Sequence, residues 1–199
     1  MSEWWSHYRD YWNQHAGNVG PQHAVWATTW PEYIAYYRPI VKKLAPAKVE
    51  TIFDVGCGAG MMVPLLEELY PKAYYIGLDI SPVMITHCQI ERPDLDWRLM
   101  PNFDLPGKAD LIIMHSVLTH ITGADAERYL GEIRVALNPG GRASISIHTE
   151  PPDGQLLSGD VRRVDYALAF FEALLAKHGL KVIDYVDGLQ RYYGVEVAA

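Results

Sequence analysis

The sequence predicts an α/β fold: a doubly wound, mostly parallel sheet of seven strands with an antiparallel last strand and helices on both faces. Three observations predict it. After Pro46, short apolar runs alternate with stretches whose apolar residues recur at helical spacing, the pattern of successive βαβ units. The first of these runs, "TIFDVGCGAGMM", ends in an acid and then in glycines at every second residue. The closing runs, "LKVIDYVD" and "RYYGVEVA", are too close for a crossover helix and must be antiparallel to one another.

Taken in order, "VETIFDV" reads as a short buried strand, and "MMVPLLEELYP" as a helix that tolerates Pro64 only by beginning just before it. "AYYIGLDI" is a second strand. "SPVMITHCQIE" follows as a helix with Ser81 as N-cap and Pro82 at the first helical position. "LDWRLM" and "ADLIIMHSV" are the third and fourth strands. "DAERYLGEIRVAL" is a helix with an apolar stripe at Tyr129, Leu130, Ile133 and Leu137, stopped by "NPGG". "RASISIHT" is the fifth strand, and "VDYALAFFEALLAKHG" a helix ended by Gly179. The tail "QRYYGVEVAA" reads as an edge strand.

Composition narrows the function classes. Of 199 residues, 49% are hydrophobic and 21% charged, as in a globular protein with one well-buried core. No apolar run reaches the length of a membrane span, and the polar, aromatic start does not resemble a signal peptide, so a cytoplasmic protein is expected. Cys57 and Cys88 are the only cysteines, which excludes a disulfide scaffold and a four-cysteine zinc site; no metal is expected. A net charge of −7 without a basic run repels a phosphate backbone, so the expected partner is a small molecule and not a nucleic acid.

In an open parallel sheet, ligands bind beyond the carboxyl ends of the strands, where the strand order reverses. Gly56, Gly58 and Gly60 stand at such a place. Glycines there accept positive φ and let the backbone approach a ligand, and the next helix offers free N–H groups. Asp79 ends the second strand, 19 residues after Gly60, where an acid can grip the two hydroxyls of a ribose. A dinucleotide fingerprint counted from Gly56 would need its third glycine at Met61, and no GK[ST] is present. An adenosine-type cofactor fits these features better than a pyrophosphate.

"DVGCGAG", "GLDISPVMI", "LNPGG" and the closing strand pair resemble the class I S-adenosylmethionine-dependent methyltransferases of the small-molecule type, over residues 49–197. The resemblance implies a Rossmann-like fold, S-adenosylmethionine as cofactor, and methyl transfer to an oxygen or nitrogen of a small metabolite. It places Asp54, Gly56, Cys57, Gly58 and Gly60 against the methionine part of the cofactor, Asp79 on the ribose and Ile80 against the adenine. Many family members carry "GD" after the third strand. Here the stretch is "LMPNFDLP", so Asn102, Phe103 or Asp104 must take that contact. A binding protein that kept the fold without catalysis is the alternative, and a nicotinamide-dependent reductase a more distant one.

Methyl transfer from a sulfonium needs alignment more than a strong base. His115 and Ser116 after the fourth strand, His120 beyond them and His148 after the fifth are nevertheless placed to accept a proton or hold substrate. They can equally cap strands. His115 and His148 are the catalytic candidates, His115 also lying near the cofactor, and His120 a substrate contact. Cys57 reads as a small residue that fits its loop.

Residues 1–45 hold five of the six tryptophans and many tyrosines, and they form a separate helical segment ahead of the domain at 46–199. Tyrosines and tryptophans suit a lid over a flat ligand, with Tyr11, Trp12 and Trp30 as substrate contacts. The competing reading is a pair of amphipathic helices packed as ordinary core.

Overall fold

The computed structural model describes residues 3–19, 30–121, 123–149 and 164–198. Helices α1 (Glu3–Val19) and α2 (Trp30–Leu44) precede strand β1 (Thr51–Val55). Then follow α3 (Val63–Leu69), β2 (Tyr74–Asp79), α4 (Pro82–Glu91), β3 (Asp96–Leu99) and β4 (Ala109–Met114). A short 3-10 turn at Leu118–His120 leads into α5 (Gly123–Ala136), β5 (Leu137–Thr149), β6 (Asp165–Tyr166), α6 (Leu168–Lys177), β7 (Leu180–Asp187) and β8 (Arg191–Val197).

The sheet order is β3-β2-β1-β4-β5-β8-β7, with β6 paired to β5 outside that path. β1 through β5 are parallel neighbours, and β8 runs antiparallel to both β5 and β7. The order therefore reverses between β1 and β4. Leu111, Ile112, Ile113 and Met114 of β4 are buried, as a central strand covered on both faces must be.

One face of the sheet is covered by α5 and α6 through Tyr129, Leu130, Ile133, Phe171 and Leu175. The other is covered by α2, α3 and α4 through Tyr37, Val41, Leu44, Leu65, Leu66 and Ile85. Burying each such side chain contributes about 1.5–3 kcal/mol, so the two apolar faces hold the layers together. α2, read in the sequence as part of a lid, lies in this core; the lid reading is left with α1.

Local signals worked where they were strong. Ser81 caps α4 by accepting the Met84 N–H, and Pro64 sits in the first turn of α3. Three boundaries differ. β5 runs straight on from α5 through "NPGG", with Gly140 absorbing a left-handed turn at φ +77°. Residues 165–166 are a strand and not the first turn of a helix, because the Tyr166 ring is buried and its hydroxyl donates to the Ile121 carbonyl. β8 is interior and not an edge: Tyr192, Tyr193 and Val195 are buried, while β7 alternates and takes the edge.

Candidate active site

The site is built where β1 turns into α3. Gly56, Gly58 and Gly60 all take positive φ, at +72°, +53° and +75°. A Cβ on Gly56 would lie 2.3 Å from Val117 Cγ2. Side-chain-free residues at alternate positions thus let the loop turn tightly at the mouth of the sheet. The Gly58 N–H donates to Asp79 Oδ2 at 2.9 Å, and the Ser81 N–H to Oδ1 at 2.8 Å. One carboxylate braces the glycine loop against the end of β2, and its remaining lone pairs stay available to a ligand. Burial pushes its pKa up while the hydrogen bonds from Ser81, Gly58 and Ile80 pull it down.

A cavity of about 610 Å³ opens over this loop. Among the residues singled out from the sequence it is lined by Gly56, Cys57, Gly58, Asp79, Ile80, His115, Ser116, His120, His148 and Trp12. The structure thus brings together the ends of β1, β2, β4 and β5 with helix α1. Cys57 is buried and its thiol pKa is driven up by desolvation, so it is held as a thiol, in keeping with a space-filling role.

Other expected residues stand outside the lining. Asp54 is 4% exposed and accepts the Tyr75 hydroxyl at 2.8 Å, with burial raising its pKa to about 7. Gly60 packs under the Trp97 ring. Asn102 closes on its own turn, donating to Asp104 Oδ2 and accepting the Asp104 N–H. Phe103 points inward, edge-on to Tyr129 at 4.6 Å, with the Arg128 guanidinium 4.4 Å from its ring centre. Met100 lines the cavity after β3 in their place. Tyr11 leans edge-on against Trp12 at 5.2 Å and packs on the core. Trp30 opens α2, and its side chain lies outside the described residues.

His115 is 8% exposed, and its Nε2 lies 2.8 Å from Ser144 Oγ. Its Nδ1 is buried without a partner, as is Thr119 Oγ1, and both residues line the cavity. Burial pushes the His115 pKa down to about 3. A neutral imidazole with so low a pKa takes a proton poorly near neutral pH, which counts against His115 as a general base. It remains a hydrogen-bonding group.

Sequence reading missed the wall opposite the loop. Tyr33 and Tyr37 from α2, Gln190 just before β8 and Tyr192 near its start all line the cavity. Tyr37 stacks on His115 at 5.3 Å and 20°, and Tyr192 meets Tyr37 edge-on at 5.8 Å. Ser116 has φ +59°, the one positive-φ non-glycine among the described residues, and it is tied down at its N–H and its Oγ by a ring of three hydrogen bonds. Its N–H donates to Ser146 Oγ at 2.7 Å, the Ser146 hydroxyl donates to Gln190 Oε1 at 2.6 Å, and Gln190 Nε2 donates back to Ser116 Oγ at 2.8 Å. No local signal marks this ring.

A three-glycine turn at the switch point, braced by the acid that ends the second strand, is the arrangement that the resemblance to class I S-adenosylmethionine-dependent methyltransferases implies. Residues 53–143 match the family described as "Methyltransferase domain". The donor set fits S-adenosylmethionine. Asp79 can receive ribose hydroxyls, the Gly56–Gly58 backbone lies open to the amino-acid end, and Ile80 and Met100 offer apolar contact to a flat base.

Relatives agree. An uncharacterized protein of Rickettsia prowazekii is 32% identical over 131 residues, 60% of this chain and 52% of that protein. Trans-aconitate 2-methyltransferase of Deinococcus radiodurans is 25% identical over 131 residues, 64% of this chain and 50% of the relative. The chain thus spans about half the length of these relatives. Among solved structures, magnesium protoporphyrin IX methyltransferase from Synechocystis with bound S-adenosylmethionine superposes with a TM-score of 0.71 at 17% identity, over 100% of this chain and 99% of that one. Mitomycin 7-O-methyltransferase superposes at 0.68 and 20% identity, over 84% and 54%. These likenesses are of fold.

Proposed function

We propose that the protein transfers a methyl group from S-adenosylmethionine to an oxygen or nitrogen of a small-molecule acceptor. The observation that carries this reading is the Asp79 bridge to Gly58, which joins the glycine loop to the proposed ribose-binding acid at the mouth of the cavity. A bound S-adenosylmethionine supplies an electrophilic methyl on a sulfonium, so the chain's task is placement and exclusion of water.

In this reading Asp79 and the Gly56–Gly58 backbone hold the cofactor, and Ile80 and Met100 flank its base. His115, neutral and half-satisfied, orients a polar group of the ligand through Nδ1. His148 and His120 stand at the acceptor end, and Trp12 on α1 closes that end from outside. The 610 Å³ cavity is of the size that encloses small ligands and supports a small-molecule acceptor. Two free, buried thiols and the lack, among the described residues, of a helix long and apolar enough to cross a membrane are in keeping with a cytoplasmic enzyme.

Calorimetric titration with S-adenosylhomocysteine, followed by incubation with isotopically labelled S-adenosylmethionine and a metabolite extract, tests the reading. Binding with a labelled low-mass product supports it. Binding with no product from any extract favours a fold-sharing binding protein, and binding of NADH instead would point to a reductase.

A further inference from the structure

Resting on the methyltransferase reading, we propose that the acceptor is an uncharged aromatic ring bearing a hydroxyl group, held against the tyrosine wall formed by Tyr33, Tyr37 and Tyr192. The first support is shape. Tyr33 lies 4.5 Å from Tyr37, Tyr37 stacks on His115, and Tyr192 stands edge-on to both Tyr37 and His115. Such a wall complements a flat π-system, through edge-to-face or offset contacts. It is not a cage for an ammonium group, because the Tyr37 face is already taken by His115.

The second support is polarity without charge. The Ser116 N–H occupies Ser146 Oγ, so the Ser146 proton must go to Gln190 Oε1. That fixes the Gln190 amide with its NH₂ toward Ser116 Oγ. The Ser116 hydroxyl accepts from Gln190 and keeps its own proton to donate. Every group in this chain is a neutral hydroxyl or amide, suited to a hydroxyl ligand. His115 is neutral as well.

The third support is the placement of cations. Among the described residues no lysine or arginine lines the cavity. Arg191 is spent on Asp187 and the Tyr185 ring, Arg128 on Phe103, and Arg142 on the Ala45 carbonyl. A carboxylate taken from water into this wall would lose several kcal/mol of solvation with no counter-charge among the described residues. Trans-aconitate, a tricarboxylate, is therefore a poor match for this wall despite the named relatives. In the transfer, the phenol oxygen takes the methyl carbon, the carbon–sulfur bond breaks with its electron pair left on sulfur, and the phenol proton passes to water.

The test is calorimetry on protein saturated with S-adenosylhomocysteine, using catechol and 4-hydroxyacetophenone, trans-aconitate, and tyramine as probes, with labelled S-adenosylmethionine turnover on the same compounds. The two uncharged phenols, catechol and 4-hydroxyacetophenone, are expected to bind at least about tenfold more tightly than trans-aconitate and the cationic phenol tyramine and to carry the label. Tyr37→Leu and, as a second variant less bound up with folding, Tyr33→Leu should each weaken phenol binding roughly tenfold while leaving S-adenosylhomocysteine affinity within about twofold. Tighter binding or methylation of trans-aconitate or tyramine overturns the proposal, as does absence of phenol binding to the saturated protein. Failure of S-adenosylhomocysteine itself to bind is read in the first titration and refutes the methyltransferase reading instead.

Discussion

Asp79 Oδ2 accepts the Gly58 N–H at 2.9 Å while Oδ1 accepts the Ser81 N–H at 2.8 Å, so one carboxylate joins the glycine loop, the end of β2 and the cap of α4. Asp79→Ala removes the acceptor from two buried N–H groups and the acid from the cofactor. Affinity for S-adenosylhomocysteine should fall more than tenfold, since a charge-assisted bond is worth about 1.5–3 kcal/mol. Asp79→Asn keeps one acceptor and should fall between. Calorimetry reads both, and an unchanged dissociation constant in either variant removes the ribose assignment.

Gly56 meets Val117 at a distance no Cβ tolerates. Gly56→Ala should therefore cost more stability than the roughly 1–2 kcal/mol of a left-handed alanine. In the double variant with Val117→Ala the clash is gone, because what remains is an ordinary 3.7 Å contact to the Val117 Cβ. Urea denaturation should show the double variant more stable than Gly56→Ala alone. If the two unfold together, the glycine serves backbone conformation only.

Much of this was legible in the sequence, and the parts that were not share a physical cause. The glycine turn, the Ser81 cap, Pro64 and the alternation of strand and helix are local signals carried by a few adjacent residues. The tyrosine wall is not: Tyr37 and Tyr192 are 155 residues apart and meet because β8 enters between β5 and β7. Nothing in "QRYYGVEVAA" announces an interior strand. Asp54 and Asp79 look alike as acids at strand ends, yet Asp54 faces Tyr75 and Asp79 faces the cavity, a difference of side-chain direction that composition does not carry. The weak basicity of His115 likewise follows from burial beneath Tyr37 and Tyr192.

Two buried groups should give stability opposite dependences on pH. His115 titrates at about 3 in the folded state, against 6.5 for an ordinary histidine. The unfolded chain takes up that proton first, so stability is lost as pH falls below about 6.5. Asp54 titrates at about 7 when folded, against 3.8 unperturbed, so its contribution is present at low pH and lost as pH rises through that window. Relative to wild type, His115→Gln should gain by up to about 1.4 kcal/mol per pH unit on acidification from pH 6.5, and Asp54→Asn by a similar slope on moving up from about pH 4. Urea melts across that range decide it. Parallel curves for wild type and either variant would contradict the burial effect at that residue.

Helix α1 lines the cavity through Tyr8 and Trp12, and its removal should separate this packing role from the proposed one of a cover. Tyr8 is 3% exposed in the main core, Ala16 packs on Met84, Asn13 accepts the Ser81 hydroxyl at 2.7 Å, and Trp12 stands edge-on to His120 at 5.0 Å. Deleting residues 1–20 should cost several kcal/mol, since a buried aromatic is worth about 3–5 kcal/mol. The sheet should survive, because its strands and the helices on both faces lie after that point. Cofactor affinity should fall too: Ser81, whose N–H holds Asp79, loses its Asn13 partner, and the wall at Trp12 opens. Trp12→Ala isolates the cover, for this ring is only half-buried; turnover should drop with a melting temperature close to wild type. By the reciprocity of linked equilibria, S-adenosylhomocysteine should then protect α1 from protease in the intact chain. Full affinity in the truncated protein, or no protection by the ligand, would leave α1 as plain core.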